Sequence, residues 1–158
     1  SVTGIDVSGL GDGTLTVSVT LTDTAGNIGA VATATTTKDV SVPSAYAAAF
    51  TTSPINSTNN TAAAFNITTA ELGTTYTYSI TSSGGGAAVT GTGTVSAATQ
   101  SVTGIDVSGL GDGTLTVSVT LTDTSSNVGT AATATTTKDV VVPFITSVTP
   151  PANATYEP

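Results

Sequence analysis

The charged chemistry open to this chain belongs almost wholly to carboxylates: ten Asp and Glu stand against two lysines, with no histidine and no cysteine. Imidazole acid–base catalysis, thiol nucleophiles, disulfides and CxxC zinc sites are therefore excluded. Ser and Thr abound, but no GxSxG elbow precedes a helix. Paired carboxylates for sugar hydrolysis need a cleft, usually aromatic-lined, and three Phe, four Tyr and no Trp are poor material for one. The chain reads as a non-enzyme. What its carboxylates can do is turn the backbone or hold a hard cation. Asp12-Gly13 and Asp112-Gly113 are turn formers, and Asp23 with Asn27 shapes a hairpin turn. The alternative is Ca²⁺, whose shell takes several oxygens, gathered here from separate loops because no EF-hand or calcium nonapeptide is present.

The elements that would position those groups are strands. Thr and Ser alternate with Val, Leu and Ile, the pattern of a pleated surface half in water, and the composition is too poor in Leu, Glu, Lys and Arg for a helical protein. Self-similarity organises them. SVTGIDVSGLGDGTLTVSVTLTDT begins at Ser1 and returns unchanged at Ser101, and TATTTKDV closes both copies; only the stretch from Ala25 to Val31 differs, becoming Ser125 to Ala131. That period is too long for a solenoid turn and suits a sandwich domain. The expected organisation is the second half of a repeat in 1–43, a complete repeat in 44–143 and the start of a different unit in 144–158. Val42-Pro43 and Val142-Pro143 mark the hinges.

Seven strands are expected in the complete repeat, centred on Tyr46–Phe50, Ala63–Ile67, Tyr76–Ile80, a Gly-rich edge strand Val89–Val95, Val102–Val107, Leu115–Leu121 and 130–138. The fold class is all-β, an Ig-like seven-stranded β-sandwich in a tandem array. Its core should include Phe65, Ile67, Tyr76, Tyr78, Leu115, Val117, Val119 and Leu121. In such a sandwich the loop between strands five and six shares a pole with the end of strand seven. Asp12 and Asp39, with Asp6 in the fifth strand beside them, would then face Glu71 and Asp123 across the hinge. Asp106, Asp112 and Asp139 repeat the first set toward the next unit. These eight are the candidate ligands of an interdomain calcium. Lys38 and Lys138 read as edge lysines that discourage strand pairing.

The run GIDVSGLGDGTLTVSVTLTDTxxNxG followed by TKDVxVP resembles the bacterial Ig-like repeats of giant secreted adhesins, those of repeats-in-toxin, biofilm-associated and gliding-type surface proteins. The resemblance covers nearly the whole chain. It implies a stalk module, in many members stiffened by Ca²⁺ between domains; Lys38 and Val40 depart from the acidic and Thr residues frequent there.

The function these features favour is mechanical: a spacer module of an extracellular, cell-surface adhesin or filament. The alternatives are a glycan- or protein-binding Ig-like module, and a subunit of a strand-exchanged filament or sheath. Partners would be neighbouring Ig-like repeats of the same chain or strands of another copy. A net charge of −8 disfavours nucleic acid, and no apolar run has the length for membrane insertion. Residues 1–40 hold only strands five to seven of a repeat, so they should need completion by strands from elsewhere.

Overall fold

Alternation decides the local structure. Where Thr or Ser separates apolar residues, one face of the segment can meet water while the other meets a partner, and the β conformation satisfies both. The computed structural model describes residues 1–149, which contain nine strands and no helix. The first two, β1 (Gly13–Val19) and β2 (Ala32–Lys38), form an antiparallel pair of their own. The other seven are β3 (Ala47–Phe50), β4 (Ala63–Thr68), β5 (Thr75–Ser82), β6 (Val89–Thr94), β7 (Thr99–Ile105), β8 (Gly113–Thr122) and β9 (Ala132–Lys138).

These seven make two sheets, ordered β3-β4-β7 and β6-β5-β8-β9. The sheets enclose a core in which Ile55, Phe65, Ile67, Ile80, Leu115, Val117, Val119 and Leu121 are all 0% exposed. Phe65 stacks edge-on against both Phe50 and Tyr78. After β3 the chain crosses to the second sheet: the Ile55 N–H donates to the Thr137 carbonyl at 2.9 Å, and the Asp139 N–H donates to the Ile55 carbonyl at 3.0 Å. That crossing ties the first strand to the last. The seven-stranded Ig-like sandwich is the fold of β3 to β9; the described residues reach nine strands because β1 and β2 duplicate β8 and β9.

Tyr76 and Tyr78 were expected in the core but are only half-buried, packed against its edge. They pair across strands with Gly93 and Gly91 of β6. A Cβ on either glycine would come within 2.5 Å of the facing phenol ring. The weak, Gly-rich edge strand is thus a bed for two rings, and aromatic cover compensates the strand for its missing side chains. The Asp6 and Asp106 expectation also changes. Neither lies in a strand: Asp106 follows β7, and residues 1–7 form no strand at all. In the second copy, β7 takes its ladder bonds from β4; among the described residues the first copy has no equivalent partner.

The first copy otherwise keeps its local structure and loses its burial. β1 and β2 pair in the register of β8 and β9, Gly13 with Lys38 as Gly113 with Lys138. Yet Val17, Val19 and Leu21 are 49%, 50% and 77% exposed. With Ile5, Val7, Leu10 and Leu15 they mark the open inner face, where a trough of about 480 Å³ takes the place of the opposing sheet.

Candidate functional site

At the pole where β9 ends, Asp112 organises the loop before β8. Its carboxylate accepts the Val140 N–H at 3.2 Å and lies 3.4 Å from the Lys138 ammonium. Lys138 is 2% exposed and donates to the Leu110 carbonyl at 2.6 Å. It occupies the edge strand, as expected, but points inward, fastening the loop to the strand end. In the first copy Asp12 accepts the Val40 N–H at 3.2 Å and the Ser41 hydroxyl at 2.9 Å, and Lys38 donates to the Ser8 and Leu10 carbonyls. The loop that β8 shares with its neighbours is tight for a backbone reason: a Cβ on Gly111 would lie 2.2 Å from the Gly84 carbonyl oxygen.

Asp6 and Asp106 each accept the N–H two residues on, from Ser8 at 2.8 Å and Ser108 at 2.9 Å. Those serines hold both carboxyls below the ordinary value of 3.8, the backbone N–H leading for Asp6 and the hydroxyl for Asp106. Asp139 accepts the Val141 N–H at 3.0 Å. Glu71 engages through its backbone carbonyl, which receives the Thr74 hydroxyl at 2.7 Å.

Asp39 and Asp123 are the two candidates brought together across the linker. Asp123 shapes the β8–β9 turn, accepting the N–H groups of Ser125 and Asn127 at 2.8 Å each and the Asn127 side-chain amide at 2.8 Å. The Asn127 amide is the main reason its carboxyl sits below 3.8. From the first copy, the Asp39 carboxylate accepts the Ser125 hydroxyl at 2.9 Å. Its backbone carbonyl accepts the same Asn127 amide at 3.2 Å. Asn127 therefore bridges the end of one copy to the turn of the next.

Behind these bonds Pro43 is fully buried, and Gly129 lies so close that a Cβ there would come 2.4 Å from the Pro43 carbonyl oxygen. The Tyr46 hydroxyl donates to the Thr130 carbonyl at 2.5 Å and accepts the Leu121 N–H at 3.2 Å, so the first strand and the turn are tied at one point. Pro43 belongs to the hinge that the sequence marks, whereas the types of Ser125, Asn127 and Gly129 alone do not mark them as joint residues. The signal was positional: those three lie within the longest stretch in which the two copies differ.

A calcium shell asks for six to eight oxygens at one point. Among the described residues no three acidic side chains gather around a common point. Asp39 and Asp123 are engaged by Ser125, Asn127 and backbone N–H donors, a donor-rich setting that does not suit a cation as it stands. The geometry is that of a hydrogen-bonded joint.

Comparison with solved structures bears on what such a joint connects. A crystal structure of a tetra-tandem repeat in the extending region of a large adhesion protein is 33% identical, with a TM-score of 0.50 over 85% of this chain. This chain is similar to an adhesin repeat. It covers 33% of that structure, about a third of its length. No family model matches the chain, and no curated protein does.

Proposed function

We propose that this chain is a non-catalytic spacer from the stalk of an extracellular repetitive adhesin, extending reach by serial addition of sandwiches. The observation that carries this reading is the likeness to a tandem repeat of an extending region, in a chain that itself repeats with a period of one hundred residues. The geometry supports it. Residues at the two ends of the repeat are engaged in closing loops and in a joint to the neighbouring copy, and the two lysines serve loop carbonyls.

The open inner face of the β1–β2 pair favours a companion reading of its partners. β8 and β9, in the same register, bury Val117, Val119 and Leu121 against β3, β4 and β7. The face bearing Val17, Val19 and Leu21 therefore fits strands of the kind found in residues 44–100, supplied by a neighbouring repeat or by another copy.

Length measures the proposal directly. Chains extended by whole copies of residues 44–143 should lengthen by about 35–40 Å per copy in small-angle scattering, the span of a ten-residue strand plus a short link. Compact particles whose maximum dimension does not grow with copy number would overturn it.

A further inference from the structure

The two copies invite a comparison that neither allows alone. Residues 1–43 and 101–143 differ at positions 25, 26, 28, 30 and 31 of the hairpin turn and at 41 of the linker; everything else, every strand position included, is the same. Identical strands follow from an identical core. The turn and linker are free of that constraint, and they are the parts that touch across the joint.

In the described joint the second copy presents Ser125, Asn127 and Gly129, and the first presents Asp39 and Pro43. A groove of about 290 Å³ beside it is lined by Val42, Pro43, Tyr46, Thr130 and Ala131, so two more of the varied positions border the linker. Asn27 repeats Asn127, but Ala25 stands where Ser125 has its hydroxyl. A turn with Ala25-Gly26 can offer an amide to a preceding repeat and no side-chain hydroxyl to its carboxylate. At the far end, Asp139 repeats Asp39, and its carboxylate accepts only the Val141 N–H among the described residues.

We propose that the β8–β9 turn is a coupling site for the preceding repeat, that its partner is the Asp39–Pro43 segment, and that substitutions between copies grade the stiffness of each joint. Joints facing a Ser125-type turn hold by two side-chain hydrogen bonds; joints facing an Ala25-type turn hold by one. The inference rests on the chain being a serial repeat protein and is independent of where that protein is anchored.

The lack of cysteine makes the test direct. Spin labels on Thr33→Cys of β2 and Thr90→Cys of β6, both exposed, report the distance across the joint in the full chain by pulsed electron paramagnetic resonance. The parent should give one narrow distribution. Asp39→Ala and Ser125→Ala should each raise the population outside the main peak about fivefold, the weight of one hydrogen bond near 1 kcal/mol. The melting temperature of the sandwich should not move. Transplanting the first turn (S125A, S126G, V128I, T130A, A131V) should match Ser125→Ala, and Asp139→Ala should change nothing. A broad parent distribution, or one unaltered by Asp39→Ala and Ser125→Ala, overturns the proposal. Broadening of the parent by a calcium chelator also overturns it, by assigning the joint to a cation. A narrow joint in a protein whose length does not grow with copy number leaves coupling intact and removes the stalk reading alone.

Discussion

Asp123 shows how a carboxylate of a surface turn can still bear on stability. It accepts three donors within its own turn, and the ionised form is the one they favour, which holds the folded carboxyl below 3.8. The folded state therefore binds fewer protons than the unfolded chain in the window beneath 3.8. Stability from this group is fully present above that value and is lost as pH falls through the lower, folded one. Asp106 adds in the same direction. Asp123→Asn should lower stability at neutral pH and flatten the acid limb of the stability profile, as read by urea midpoints between about pH 2 and pH 5. An acid limb of unchanged slope in the variant would show that the turn carboxylate is inert. The turn itself was legible from Asp23 and Asn27, because an Asx turn is encoded within a few residues. That Asp39 faces this turn was expected from the poles of the sandwich; that it meets the Ser125 hydroxyl and the Asn127 amide was not, since those partners depend on where the linker brings the preceding copy.

β8 and β1 share one sequence, which separates strand propensity from burial. Leu115, Val117, Val119 and Leu121 are 0% exposed, whereas Val17 and Val19 are 49% and 50% exposed. Val119→Ala should therefore cost about 1–2 kcal/mol, through lost transfer free energy and the cavity left behind. Val19→Ala, the same substitution in the same local sequence, should stay within about 0.5 kcal/mol. Denaturant unfolding of the sandwich measures both, and equal effects would mean that the first copy is closed in solution. Period-two alternation made β8 readable with its correct face, because a slip by one residue would turn every Val and Leu to water. β6 was readable as a weak edge strand from its glycines. That Tyr76 and Tyr78 lie over those glycines was not, because cross-strand register is set by partners distant in sequence.

The whole molecule offers trypsin two identical sites. Lys38 and Lys138 are its only basic residues, each within TATTTKDV. Lys138 is 2% exposed, its ammonium on the Leu110 carbonyl and its strand end tied to Ile55. Lys38 ends a two-stranded pair that has no opposing sheet among the described residues. Such a pair is marginal in water and opens locally at little cost. Limited digestion should cut after Lys38 and spare Lys138, yielding a long-lived fragment that begins at Asp39. Cleavage at both sites at equal rates would mean that the sandwich does not protect its last strand.

Duplication within one chain separates what sequence determines from what tertiary structure decides. Strand and turn conformation, the Gly13–Lys38 register and the Asp23–Asn27 turn recur in both copies, because their causes lie within about thirty residues. Burial does not recur, nor does the strand formed by residues 99–105, since both require an opposing sheet or a β4 partner. Residues such as Val117, Val119, Leu110 and Leu121 are core in one copy, and their counterparts Val17, Val19, Leu10 and Leu21 are exposed in the other. Hydrophobic free energy follows the area removed from water, and that area belongs to the partner as much as to the residue.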